Sequence, residues 1–197
     1  MVASIRKFLP AGTRIIQITN MDFPMVKSVD MAFRVPSKPD FIDWAFGALI
    51  ALGETFHDDI LQIATDVLIQ RDISEVFHWP YDIAACRYWL KERIDGAFCG
   101  DVNFIHDGGI RVFREALSIY RKNPKYQDGC DGGQKAFLEA SNRPNFVVRE
   151  LNPYYHCRTP ENAQEDLSEA SIIHFRGPRK AWMIPYAQKI GLIAEAL

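Results

Sequence analysis

Short apolar runs bounded by turn residues alternate along this chain with longer stretches of helical periodicity, and that alternation constrains the fold more than any other feature. Residues 14–18, 60–64, 67–69, 82–86, 109–113, 145–148 and 171–173 read as strands. Helices are expected over 1–9, ended by Pro10, and over 41–52, with Gly53 as the stop. Further helices are expected over 72–77, capped by Asp72, over 114–120 with Leu117 and Tyr120 facing inward, and over 134–140. Strands interleaved with helices give an α/β fold in which much of the sheet is parallel.

The chain has 197 residues, 48% hydrophobic and 24% charged, with a net charge of −2. That length supports one sizeable core, so residues 1–197 are expected to form a single domain. Acidic and basic residues are interspersed, which leaves no electrostatic footprint for duplex nucleic acid and points to a small or locally charged partner. Cys86, Cys99, Cys130 and Cys157 form no CxxC pair, which argues for reduced thiols and against a zinc ribbon or redox dithiol. With neither a long apolar span nor a secretory leader, the expected location is cytoplasmic.

Two places concentrate ligand chemistry. The 171–173 strand delivers His174 to a strand end, and Gly177-Pro178 turns the chain into Arg179-Lys180. An imidazole binds divalent cations, a glycine lets backbone approach a ligand, and the two cations suit phosphate oxygens. Asp66 follows one apolar run and precedes another, where a carboxylate either caps a turn or faces a ligand. Open α/β sheets bind ligands at the carboxyl ends of strands.

The pattern H-F-x-G-x-x-K-x-W at His174, Phe175, Gly177, Lys180 and Trp182 resembles the C-terminal signature of the family 8-like glycosyltransferases of GT-A fold, with Ala181 where proline is usual. Residues 63–77 resemble that family's metal-binding stretch LD-x-D-x-L-x-x-x-D-I-S-E-L-F, on Asp66, Leu68, Asp72, Ile73, Ser74, Glu75 and Phe77. Residues 107–113 are similar to its N-x-G-V-M-x-F strand, which lines the sugar pocket, and residues 132–136 to its D-Q-x-A segment. The four motifs occur in the family's order.

The resemblance implies a GT-A, Rossmann-like sheet, mixed but mostly parallel, and metal-dependent transfer from a nucleoside diphosphate sugar, commonly a UDP-sugar, with retention of configuration. Asp66 and His174 would hold Mn2+ or Mg2+. Thr65, Asp66, Gly108, Gly109, Gly177, Arg179 and Lys180 would contact the donor, and Gln134, Asp131 and Asp107 would form the catalytic set. The acceptor, a glycan, protein or small molecule, is left open, with residues 123–132 and 151–165 as loops for it and Tyr154-Tyr155-His156 either stacking on a sugar or packing.

Three departures qualify the resemblance. Ala64 replaces the first Asp of DxD; Gly133 replaces the Asp of the D-Q pair, with Asp131 nearby; and Asp107 replaces the pocket Asn. The chain also begins at the family's first helix, so the first strand is expected to be missing and its neighbours to expose an open edge, a route to homo-oligomers. The expectation is a weak or inactive transferase, or else a non-catalytic nucleotide-sugar or glycan-binding protein on the same fold.

Overall fold

The structure, a computed structural model, describes residues 1–87, 98–127 and 131–194, with the side chains at 154 and 155 excepted. The N-terminal part runs α1 (Val2–Phe8), β1 (Ile16–Thr19), β2 (Met31–Arg34), α2 (Phe41–Phe56), β3 (Ile60–Ile63) and β4 (Val67–Ile69). A 3-10 turn (Ser74–His78) then leads to β5 (Ile83–Arg87), β6 (Phe98–Ile105), α3 (Ile110–Lys122) and α4 (Pro124–Gln127). The chain continues with α5 (Gly132–Ser141), β7 (Val148–Leu151), α6 (Pro153–His156) and β8 (Ile172–His174). A second 3-10 turn (Gly177–Arg179) opens into α7 (Lys180–Lys189).

The fold is mixed α/β, but its pairing is not mostly parallel. The central sheet has the order β3-β6-β5-β7, with β6 antiparallel to both neighbours and β7 parallel to β5. The segment joining β5 to β6 is too short for the crossover of roughly a dozen residues that a parallel pair requires. Elsewhere β1 pairs with β2 in parallel and β4 with β8 antiparallel.

Side-chain alternation divides the core. On β5, Ile83 and Ala85 face the layer formed by α2, α3 and α5, while Ala84 and Cys86 face the opposite core with Val67, Ile69 and Ile172. Leu68 and Ile173, on the other side of the β4-β8 pair, pack with Phe175, Trp182 and α7. Along β6 the alternation breaks: Val102 and Phe104 face the same core as Cys99, where strict period 2 would turn Cys99 away. A register shift opposite Ala85 to Arg87 marks the irregularity, and such bulges re-aim side chains.

Several expected elements changed. Residues 109–113 are not a strand, because Ile110 begins α3 and Val112, Phe113, Ala116, Leu117, Ile119 and Tyr120 form one buried helical face. Gly53 does not stop α2: a Cβ there would lie 2.8 Å from Ile110 Cγ1, so its smallness brings α2 and α3 together, and the helix ends at His57 in the left-handed conformation (φ 51°). The apolar 41–52 stretch is buried on one side only, leaving Phe41 70% exposed. The strand expected over 145–148 forms instead at Val148–Leu151, and β2 and β6 went unread.

Among the described strands none pairs with the outer edge of β1 or of β3. Between those edges lies a cavity of about 1010 Å³, walled by Ile16, Ile18, Leu61 and Ile63 and reaching Thr65 and Gly100. No helix among the described residues is long and apolar enough to cross a membrane.

Charge ties α2 to α3. Asp40 caps α2 through the amides of Ile42 and Asp43, and Asp43 accepts from Arg121 and Lys38. The Arg121 bond outweighs the cost of burial and, with Lys38, lowers the Asp43 pKa to about 2. A carboxylate with a depressed folded-state pKa stabilises above its unfolded value and loses that contribution as pH falls through the folded one. We therefore expect Asp43→Asn to remove about 1 kcal/mol, after solvent screening, at pH 7. The difference should shrink between pH 4 and about 2 in urea titrations.

Candidate functional site

Three chain segments converge at one end of β8. Leu68 and Val67 pair with Ile173 and His174, and the Phe175 amide donates to the Asp66 carbonyl at 2.8 Å, so Asp66 is fixed beside the imidazole. On the other side of β8, Arg158 N donates to Ile172 O and His174 N donates to Arg158 O, both at 2.9 Å, which brings Cys157 alongside. From the central sheet, Ala64 N donates to Asp101 O at 2.9 Å, and the β6 irregularity turns Cys99 and Asp101 towards the same point.

His174 is 2% exposed, and its two ring nitrogens face different chemistry. Nε2 lies 3.4 Å from Asp66 Oδ1 and 3.8 Å from Asp101 Oδ2. Nδ1 lies 3.8 Å from Cys99 Sγ, which is in turn 3.6 Å from Asp101 Oδ2 and 3.7 Å from Cys157 Sγ. Burial disfavours the imidazolium, but the Cys99 contact and the Asp101 and Asp66 carboxylates outweigh it and raise the His174 pKa above its ordinary value. The thiol of Cys157 and burial hold Cys99 well above the usual thiol range, and contact with Cys86 and burial do the same for Cys157.

Lys180 Nζ sits 3.1 Å from Asp66 Oδ2, the lysine 61% exposed and the carboxylate 12%. The turn that positions Lys180 depends on Gly177 (φ 60°), and a Cβ on Gly177 would meet nothing within 4 Å, leaving room for a ligand against the backbone. Arg179 is committed elsewhere, its Nε donating to Pro160 O at 2.5 Å.

The structure thus gathers Asp66, His174, Gly177 and Lys180, with exposed Thr65 between the site and the cavity. It separates them from Asp107, Gly108 and Gly109, which follow the far end of β6, about 20 Å of extended chain from Asp101. Asp107 is exposed there, its amide bonded to Asp59 Oδ1 at 2.9 Å. Gly109 approaches the Asp82 carbonyl, and Gly108 (φ 85°) makes the turn into α3, so both serve chain geometry at that end. Asp131 is the N-cap of α5 and Gln134 lies in its first turn, on a helix packed mainly on α3. Tyr154 and Tyr155 lie outside the described side chains, and the pairing of Cys130 lies outside the described residues.

Asp101, Cys99 and Cys157 join this site through tertiary pairing and form no local motif with His174. The usable signal was a polar pair, Gly100-Asp101, interrupting an otherwise apolar run, the composition of a bulged strand next to a site.

Scans against protein-family profiles and against curated proteins return no match. Among solved structures, the chain is similar to the crystal structure of a glycosyltransferase involved in the glycosylation of the major capsid of PBCV-1. The TM-score is 0.61 at 13% identity, over 87% of this chain and 98% of that chain. The likeness is one of fold.

Proposed function

We propose that this chain is a glycosyltransferase of the GT-A, nucleotide-sugar-binding type, taking a UDP-sugar with a hard divalent cation, Mn2+ or Mg2+, at Asp66 and His174. The observation that carries the reading is the meeting of a carboxylate, an imidazole and an exposed ammonium at two adjacent strand ends, beside an open glycine turn. Oxygen and imidazole donors suit Mn2+, and a diphosphate would complete its shell. When bound, the cation supplies charge neutralisation at the departing diphosphate.

The protein's own residues carry the remaining tasks. Lys180, paired with Asp66, adds a second positive charge at the leaving group. The Gly177 backbone admits the phosphates, and the adjoining cavity, reached past Thr65, accommodates the nucleoside. Its volume, about 1010 Å³, matches the upper range of small-molecule pockets. Retention of configuration, Gln134 and Asp131 belong to the reading through the resemblance alone.

A second reading, a nucleotide-sugar or glycan-binding protein without turnover, is favoured by Ala64. That residue hands its amide to Asp101 O and brings no carboxylate of its own. One comparison separates the two. We expect UDP-sugar to bind more tightly with Mn2+ than without, and Ala64→Asp to raise donor hydrolysis or transfer at least tenfold if the chain is a weakened enzyme. Metal-dependent binding with no gain from Ala64→Asp favours the binding protein, and metal-independent binding defeats the cation reading.

A further inference from the structure

We propose that the opposite face of His174 forms a second cation site, made by Cys99, Cys157 and His174 Nδ1, for a thiophilic divalent ion of the Zn2+ class, and that its occupation withdraws His174 from the first. The thiol site stands on its own geometry; the consequence for catalysis rests on the cation reading above.

The three ligand atoms lie within 4.8 Å of one another, and all three residues are buried. Zinc takes thiolate sulfur at about 2.3 Å and imidazole nitrogen at about 2.0–2.1 Å, so a tetrahedral shell has S···S edges of about 3.8 Å and S···N edges of about 3.5 Å. In the structure the Cys99–Cys157 and Cys99–His174 Nδ1 separations are 3.7 and 3.8 Å. Two edges of the shell are therefore in place, and the third, Cys157 Sγ to His174 Nδ1, lies within 4.8 Å and would shorten on binding. Binding forms two Zn–S bonds and one Zn–N bond and releases two thiol protons to water. Two thiolates and a neutral imidazole cancel the ion's charge, which a buried site requires. Three protein ligands leave a fourth position for water.

Ligand softness keeps the two faces distinct. Thiolates select Zn2+, whereas Asp66, Asp101 and a diphosphate favour Mn2+ or Mg2+. A neutral ring coordinating through Nδ1 carries its proton on Nε2. Asp66 Oδ1 lies 3.4 Å from that nitrogen, so the proton sits on the side where the first cation would bind. An N–H cannot ligate, so an imidazole that keeps its remaining proton serves one face at a time. The second site thereby acts as an inhibitory input for a soft metal.

The test uses the whole chain, kept reduced, with Co2+ as a spectroscopic stand-in for Zn2+. Thiolate-to-Co2+ charge-transfer absorption saturating at one equivalent is expected. It should be lost in Cys99→Ser and Cys157→Ser, kept in Cys86→Ser, and displaced by Zn2+. Nitrogen-15 NMR should show Zn2+ placing the His174 proton on Nε2, and paramagnetic resonance should show Mn2+ affinity falling at least tenfold with one equivalent of Zn2+. No charge-transfer band, or a band surviving both serine changes, overturns the site. An Nε2 without a proton, or Mn2+ binding indifferent to Zn2+, overturns the exclusion. Absence of Mn2+ binding in untreated protein alongside the Co2+ band defeats the earlier cation reading and leaves the thiol site established.

Discussion

Asp66→Asn is expected to lower Mn2+-dependent affinity for a UDP-sugar at least about 100-fold, close to 2.7 kcal/mol. Asn keeps the shape and the main-chain carbonyl that accepts from Phe175, so β4 and β8 remain paired. What disappears is the charge: one oxygen faces His174 Nε2 at 3.4 Å and the other Lys180 Nζ at 3.1 Å. A hard cation loses its anionic ligand, and the amide oxygen that replaces it is neutral. Lys180→Ala should cost less, about tenfold, and that loss should diminish as salt rises, because an exposed ammonium acts as a screened point charge. Calorimetric titration of UDP-sugar with and without Mn2+ measures both. An Asp66→Asn protein with unchanged unfolding and Mn2+-dependent affinity within about threefold of wild type would remove Asp66 from the site.

How far the sequence exposed this site depends on what each residue advertises. Ile172 and Ile173 form an apolar run ended abruptly by His174, Gly177 and Pro178, and that contrast placed the imidazole at a strand end. Asp66 was legible for the same reason, a lone carboxylate between two apolar runs. Asp101 was hidden because β6 contains Gly100, Asp101 and Asn103, which erase the alternation expected of a strand. The thiol pair was hidden for a different reason. Cys99 and Cys157 are 58 positions apart, and Cys99 and His174 are 75 apart, so only tertiary pairing makes them neighbours. Residues 109–113 misled because a short apolar segment satisfies both periods. The longer buried face of α3, continuing to Tyr120, resolves it as helix.

Gly109→Ala is expected to destabilise the fold by more than about 3 kcal/mol, which separates a structural glycine from the ligand-binding one implied by the resemblance. A Cβ at this position would lie 2.0 Å from the Asp82 carbonyl oxygen, 2.9 Å from its carbon and 3.0 Å from His106 O, all backbone atoms. Those atoms are not free to retreat. Asp82 O accepts from His106 N at 3.1 Å, its carboxylate accepts from Val147 N at 2.8 Å and Arg111 at 2.7 Å, and β5 follows immediately in the centre of the sheet. Relief requires moving either β5 or the start of α3, and either movement opens the packing beneath Ile83 and Ile110. Gly177→Ala offers the contrast: nothing within 4 Å obstructs its Cβ, so only the left-handed backbone (φ 60°) is penalised, by roughly 1 kcal/mol. Urea midpoints should therefore fall steeply for Gly109→Ala and slightly for Gly177→Ala. Binding should show the reverse order: the folded fraction of Gly109→Ala retains UDP-sugar affinity, while Gly177→Ala, with a methyl group where backbone meets phosphate, loses it. Equal loss of binding per folded molecule in both variants would restore Gly109 to the donor pocket.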